Sequence, residues 1–198
     1  MNTNRLSESI CKALNDQMTK EAHASQIYLS YASWLNAQGY EGVANFLFRH
    51  ANEERNHMMK FLEYILERGS TVKISAIPDP GENPTSVYDA FQKAFKQEVD
   101  NSESIYKIVK QSFDEADWAT WNFLQWFVKE QTEEETLIMN MLDKFKIAGG
   151  DKVSDQSLYS IDRDLMSTPD EADLAREKTV EEPWNLFANP TTFQSWEA

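Results

Sequence analysis

Apolar residues recur at every third or fourth position in four long stretches of this chain, a spacing that predicts amphipathic helices. The stretches cover residues 5–38, 41–68, 86–113 and 118–148, and a shorter one covers 154–166. Gly39, Gly69 and Gly149 follow the first, second and fourth stretches as stop signals. Ser86 and Asp89 open the third as a capping box in which Asp replaces the usual Glu. The pattern predicts an all-α fold of four long helices and a short fifth.

The segment between the second and third helices, residues 70–84, contains three prolines and one glycine and cannot be helical. An extended segment of this length spans about 45–50 Å, which matches a helix of about 28 residues. The third helix could therefore start at the opposite end of the molecule, parallel to the second. These elements predict a four-helix bundle with one long crossover.

Each of the four long helices interrupts its apolar face with a glutamate: Glu21, Glu54, Glu98 and Glu134. His57 lies one turn after Glu54 on the same side of its helix. Each glutamate is about thirteen to seventeen residues into its helix, so all four lie near mid-bundle whichever way the helices run. Ionised carboxylates crowded in an apolar interior repel and are costly to desolvate. Two divalent cations would offset that cost.

The ligand types indicate the metal. Carboxylates with one imidazole and no thiolate suit iron or manganese better than structural zinc, and calcium rarely recruits histidine. Any one buried glutamate could instead be hydrogen-bonded or paired with Lys or Arg, and a lone Glu-x-x-His is often a chance surface pair. The agreement of four helices at one height favours a dimetal site.

Composition excludes several function classes. The net charge of −14 and pI of about 4.6 argue against nucleic-acid binding. No apolar run approaches the roughly 18 residues of a membrane span. Cys11 is the only cysteine, so no intrachain disulfide can form and a reducing compartment is expected. The first twenty residues lack a signal-peptide pattern. We expect a cytoplasmic protein that binds neither nucleic acid nor membrane.

At these residues the sequence resembles the bacterial non-haem ferritins, a ferritin-like di-iron family. The resemblance covers residues 6–165 and is most specific in FLFRHANEERNHMMKFLEYI, NFLQWFVKEQTEEE and LYSIDRDL. Such ferritins form cages of twenty-four subunits, oxidise Fe(II) inside each bundle and store Fe(III) mineral in the cavity. The resemblance implies a ferroxidase that uses O2 or H2O2, with a homo-oligomeric cage.

The resemblance also implies ligand roles. The first iron would be held by Glu21, Glu54 and His57, with Glu54 bridging to the second. The second iron would be held by Glu98, Glu134 and Glu54, with Gln131 beside it. The fourth helix has no Glu-x-x-His, because its positions read Glu130-x-x-Glu133 and Gln131-x-x-Glu134. The second iron is then held by oxygens alone, which suits an ion in transit.

A third iron site on the cavity side maps by resemblance to Glu53, Glu130, Glu133 and Glu134, although the first three could instead form a solvated charged face. Tyr28 matches a tyrosine beside the site that supplies an electron and a hydrogen bond, and a core tyrosine is the alternative. His50 is expected in the core or at an interface rather than as a ligand.

Two other functions remain open: a dimetal oxidase or peroxide-detoxifying protein without mineral storage, and a helical binding module whose buried acids are structural. The domain prediction is a bundle with its fifth helix at residues 1–166 and an extension at 167–198. In the extension, Thr168-Pro-Asp-Glu171 predicts a short acidic helix. The aromatic end is expected to dock on its own subunit or a neighbour, or to bind a partner.

Overall fold

The computed structural model of the protein describes residues 3–167, and its regular structure is helical. The five α-helices are α1 (Glu8–Ala37), α2 (Glu41–Glu67), α3 (Val87–Asp114), α4 (Trp118–Ile147) and α5 (Asp155–Ser167). The prediction of an all-α fold is confirmed, with every helix end within three residues of its predicted position. The boundary before the extension stays a prediction, and the predicted helix and docking at residues 168–198 lie outside the described residues.

Local capping explains where the helices begin. The Ser7 hydroxyl accepts from the Ile10 N–H at 3.1 Å at the start of α1, and the Ser86 hydroxyl accepts from the Asp89 N–H at 3.0 Å at the start of α3. The reciprocal half of the predicted capping box is displaced by one residue. The Asp89 carboxylate accepts from the Thr85 N–H at 2.7 Å instead of the Ser86 N–H.

The crossover between α2 and α3 follows α1 over most of its length. Side chains of α1 contact it in chain order: Asn15 on Thr71, His23 on Asp79 and Ser30 on Asn83. The end of α2 lies beside the start of the chain, because the Arg5 N–H donates to the Arg68 carbonyl at 2.9 Å. The crossover therefore carries the chain towards the opposite end of the bundle, as predicted.

Helix α5 docks on the start of α2 through a close backbone approach. A Cβ added at Gly42 would lie 1.9 Å from the Asp162 carbonyl oxygen, so only glycine fits there. The Asp162 carboxylate accepts from the Val43 N–H at 2.9 Å and satisfies a free donor in the first turn of α2. The contact holds the short helix against the bundle.

The core consists of two apolar clusters with a polar belt between them. One cluster takes residues 28–51 of α1 and α2, 87–94 of α3 and 138–145 of α4. The other takes the remaining ends of the four helices. The polar belt at mid-bundle contains these buried side chains: Gln17, Glu21, Ser25, Glu54, His57, Glu98, Asn101, Ser102, Gln131 and Glu134. A core of this kind isolates charged groups from water at one height.

Among residues 3–167, no helix combines the length and the apolar character that crossing a lipid bilayer requires.

Candidate metal centre

Three of the predicted ligands form a tight group in the polar belt. Donor atoms of Glu21, Glu54 and His57 all lie within 4.8 Å of one another, and all three side chains are buried. The distance from His57 Nδ1 to Glu54 Oε2 is 3.5 Å. Glu54 and His57 are three residues apart on α2, so one helix face presents both to Glu21 on α1.

Several donor atoms in or beside the belt make no hydrogen bond of good geometry within residues 3–167: Glu54 Oε2, Glu134 Oε2, His50 Nε2 and both ring nitrogens of His57. They approach one another at ion-pair distance instead, with Glu54 Oε2 at 3.5 Å from His57 Nδ1 and Glu134 Oε2 at 3.3 Å from His50 Nε2. Buried polar atoms are nearly always paired in folded proteins. Carboxylate and imidazole atoms that converge without good hydrogen bonds form the arrangement expected of a cation site. The donor set therefore fits one or more divalent metal ions.

Glu98 is held in place by two neighbours. Its Oε1 accepts from the Tyr28 hydroxyl, and its Oε2 accepts from Gln131 Nε2 at 3.1 Å. Burial raises the pKa of Tyr28 well above its ordinary value, and the charge of Glu98 adds to the rise. Tyr28 therefore stays protonated, and its hydroxyl donates a hydrogen bond to Glu98.

The carboxyl groups of the belt compete for protons. Burial raises the pKa of Glu98 to about 7, with the Glu134 charge contributing. Burial also raises the pKa of Glu54 well above its ordinary value, and the Glu98 charge adds to the effect. Desolvation and like charge both disfavour the ionised acids. A bound cation would remove that penalty, because its charge opposes theirs.

A second cluster lies beside the first and reaches towards the surface. Donor atoms of His50, Glu53 and Glu134 lie within 4.8 Å of one another, as do those of Glu53, His57 and Glu130. Glu53 and Glu130 are half-buried. Of the four residues in the predicted third site, Glu134 and Glu130 therefore each lie beside Glu53, in two groups that share it.

The structure does not bring Glu133 to this cluster. Its side chain is exposed and lies 3.0 Å from Lys129 Nζ, one turn earlier on α4. Glu133 belongs to none of the possible metal-binding groups found among the described residues. Position 133 is adjacent to 134 in the chain, so a helix turns its side chain about 100° away from that of Glu134.

His50 was predicted to be a core or interface residue, and it is buried, but it also contacts the site. Its Nδ1 lies 3.0 Å from the Phe46 carbonyl oxygen, and its Nε2 lies 3.3 Å from Glu134 Oε2. Burial alone would lower the pKa of His50, but the Glu134 carboxylate raises it to about 9. The spacing carried only part of the signal: positions 50, 54 and 57 share one helix face, but this spacing does not show the approach to Glu134 on α4.

Two buried amides also escaped the sequence analysis. Gln17 Nε2 donates to Glu21 Oε1 at 2.8 Å, and Asn101 Nδ2 donates to Glu21 Oε2 at 3.1 Å. Gln17 lies four residues before Glu21, and Asn101 lies three residues after Glu98. Helical spacing therefore placed both beside predicted ligands, although an amide in a helix carries no signal of its own.

Comparison with known proteins places this arrangement in a family. Residues 11–148 match the ferritin-like domain. The chain belongs to the ferritin family. It is 41% identical over 160 residues to a probable bacterial non-heme ferritin-like protein of Haemophilus influenzae, covering 81% of this chain and 95% of that one. It is 39% identical over 144 residues to the bacterial non-heme ferritin of Campylobacter jejuni, covering 73% and 86%.

Solved ferritin structures share the fold. The open pore ferritin of the archaeon Archaeoglobus fulgidus matches with a TM-score of 0.78 and 34% identity, covering 83% of this chain and 99% of that one. The predicted ferritin-like bundle is therefore confirmed. In this ferritin the apolar stripes supply the fold, and the glutamates that interrupt them supply the candidate metal centre.

Proposed function

We propose that this chain is an iron-storage ferritin that oxidises Fe(II) at a two-iron centre in its bundle and keeps Fe(III) mineral inside a cage of twenty-four copies. Family membership supports iron storage in general. The observation that carries the finer proposal is the convergence of buried donor atoms of Glu21, Glu54 and His57 within 4.8 Å of one another. Within this group Glu54 and His57 meet only at an ion-pair distance of 3.5 Å, without a good hydrogen bond, so their donor atoms remain available to a cation.

Iron is the substrate in this scheme. The first Fe(II) binds Glu21, Glu54 and His57, whose donor atoms already lie within 4.8 Å of one another. The second binds Glu98 and Glu134, and Glu54 bridges the two. Each Fe(II) gives up one electron, and with two protons from solvent the pair of electrons reduces one O2 to H2O2 or one H2O2 to two water molecules. The protein contributes proximity and charge compensation.

Tyr28 and Gln131 orient the second half of the centre. Both donate to Glu98, one to each carboxylate oxygen, so that carboxylate keeps a fixed direction. The Tyr28 ring is buried and its hydroxyl is bonded to a ligand of the second iron. Its match to the tyrosine of the related ferritins supports an additional role as an electron donor to the site.

Fe(III) leaves through the neighbouring cluster. The second iron has no imidazole ligand on α4 and is bound by oxygens, which suits release. Glu53 and Glu130 are half-buried beside the centre and provide the next ligands. We leave Glu133 out of this route, because it is exposed and paired with Lys129.

Aerobic addition of Fe(II) to the metal-free protein tests the proposal. A storing ferritin keeps far more iron in solution than two ions per chain. A dimetal oxidase would stop near two ions per chain, and a helical binding module would oxidise none. Glu54→Ala should abolish fast oxidation, because it removes the bridging ligand. Glu103→Ala, on the exposed face of α3, is the matched control and should keep the wild-type rate.

The size of the assembly is a separate measurement. Light scattering should detect a particle of about twenty-four chains of 22.9 kDa each. A much smaller species would contradict the cage, and therefore storage, while leaving oxidation at the two-iron centre to be judged from the rates.

A further inference from the structure

Two amide side chains clamp the carboxylate of Glu21 from two different helices. Gln17 on α1 donates to Oε1 at 2.8 Å, and Asn101 on α3 donates to Oε2 at 3.1 Å. The amides are also bonded to each other, since Gln17 Nε2 donates to Asn101 Oδ1 at 2.5 Å. All three side chains are buried. Each oxygen of Glu21 therefore has one fixed N–H donor.

Such a clamp leaves Glu21 free to bind a cation. A carboxylate oxygen has two lone pairs, so an oxygen that accepts one N–H keeps a lone pair for a metal ion. The amides are neutral and therefore do not replace the cation, as a Lys or Arg in the same place would. The arrangement orients the ligand without neutralising it.

The clamp is not arranged for stability alone. Gln17 Oε1 is buried and accepts no hydrogen bond from any residue between 3 and 167. A buried acceptor without a partner destabilises the fold, and a partly satisfied polar network is worse than apolar packing. Sites that break the packing rules of their surroundings are commonly functional. The position of the clamp against Glu21 identifies what that function acts on.

Asn101 also links the two halves of the centre. Its Nδ2 lies 3.5 Å from Gln131 Oε1, and Gln131 Nε2 donates to Glu98 Oε2 at 3.1 Å. The amide thus lies between Glu21, a ligand of the first iron, and the pair that orients the second. Its direct hydrogen bond is to Glu21, and its contact with Gln131 is longer.

We propose that Asn101, together with Gln17, is a positioning residue that fixes Glu21 for the first iron. The inference rests on the proposed two-iron function. Removing a hydrogen bond that orients a metal ligand typically weakens metal affinity by about 10–100-fold. Asn101→Leu keeps the branched shape and the number of heavy atoms, and it removes the hydrogen bonds of Asn101 to Glu21, Gln17 and Gln131. The variant should weaken binding of the first ion within that range and leave binding of the second ion largely unchanged, because Glu98 keeps its own hydrogen bonds to Tyr28 and Gln131.

Calorimetric titration with Co(II) under argon tests this, because Co(II) takes the same ligands without being oxidised. Asn15→Leu is the matched control. Asn15 is also a buried asparagine at 7% exposure, equal to that of Asn101, but it bonds the crossover instead of the site. Asn15→Leu should bind both ions as the wild type does, even if its unfolding temperature is lower.

Gln17→Met provides a second variant in case Asn101→Leu does not fold, and it should weaken the first ion in the same way. Wild-type affinity for both ions in Asn101→Leu or Gln17→Met would overturn the positioning role. An equal loss of Co(II) affinity in Asn15→Leu would also overturn it, because removing any buried polar side chain would then have the same effect. A wild type that binds no Co(II) in the bundle would overturn the two-iron function itself, and the positioning role with it.

Discussion

The surroundings of Glu53 disfavour the ionised form of its carboxyl group. Burial raises the pKa of Glu53 from 4.5 to about 7, and the neighbouring charge of Glu134 contributes. A carboxyl group whose pKa is higher in the folded chain favours folding while it is protonated. Its contribution is fully present below about pH 4.5 and is lost as the pH rises through about 7. Above that pH the metal-free protein carries an ionised acid whose charge His50 and His57 compensate only in part.

Replacing Glu53 with Gln should therefore stabilise the metal-free protein at pH 8. The amide has no charge to desolvate, and one unit of pKa shift is worth about 1.4 kcal/mol, so we expect a gain of about 1–3 kcal/mol. The gain should be small at pH 5. Denaturant unfolding at both pH values measures it, with Glu103→Gln on the exposed face of α3 as the control. Lower stability of Glu53→Gln at pH 8 would contradict the assignment.

The residues of the site differ in how visible they are in the sequence. A glutamate such as Glu54 or Glu98 in an apolar stripe stands out, because burying an unpaired charge is costly. Asn101 does not stand out, because its partners lie on α1 and α4 and only the fold brings them together. His50 shares a face with Glu54, but spacing alone does not show whether a histidine approaches Glu134 on another helix.

Helix ends could be predicted because their determinants are local. Gly39 and Gly69 both adopt positive φ, at 89° and 68°, just after α1 and α2, and few other residues tolerate that conformation. The docking of α5 could not be predicted, because it depends on the approach of Asp162 to Gly42, which are far apart in the chain. Glycine is needed at position 42 because two helix backbones approach closely, and not because the chain turns.

Gly42→Ala should loosen α5. The added Cβ would lie 1.9 Å from the backbone oxygen of Asp162. Because that atom belongs to a helix backbone, α2 and α5 would have to move apart. Alanine gains about 1 kcal/mol of helix propensity over glycine, but overpacking costs about 1–3 kcal/mol, so we expect net destabilisation. Amide exchange should show lost protection in α5 and unchanged protection in α1. Asn45→Ala, exposed on α2, is the control. Full protection of α5 in Gly42→Ala would refute the close approach.

The start of α3 depends on one hydroxyl. Ser86→Ala removes the acceptor of the Asp89 N–H, and loss of such a cap costs about 1 kcal/mol, within a range of about 0.5–2. Ser86→Asp keeps an acceptor and should retain most of the stability. Ser33→Ala, exposed within α1, should cost nothing. Urea unfolding of the metal-free protein measures all three, and equal stability of Ser86→Ala and the wild type would exclude the cap.

At the scale of the whole molecule, the two apolar clusters and the polar belt have opposite effects on stability. The clusters bury large side chains such as Phe61, Phe91 and Phe145 away from water, which stabilises the fold by about 1.5–3 kcal/mol for each fully buried side chain. The belt places glutamates between them at a cost. The bundle therefore tolerates a charged centre because apolar packing on both sides holds the four helices together.

The effect of metal ions on stability should consequently depend on pH. The pKa of Glu98 is about 7 and that of Glu54 is also raised, both by burial first. Below pH 7 a proton occupies Glu98 and competes with the metal ion, and above it the ionised acid is free to bind. An ion bound only by the folded state stabilises it by about 2.7 kcal/mol at one hundred times its dissociation constant.

Co(II) under argon should thus raise the unfolding temperature more at pH 8 than at pH 6. Differential scanning calorimetry of the metal-free and Co(II)-loaded protein at both pH values gives the two shifts. Binding at pH 6 should also release protons, which a pH-stat detects. Glu54→Ala should lose most of the shift at pH 8, because it removes the bridging ligand, whereas Glu103→Ala should keep it. A shift that is as large at pH 6 would mean that the ions bind surface carboxylates, whose pKa values lie far below both conditions, and not the acids of the belt.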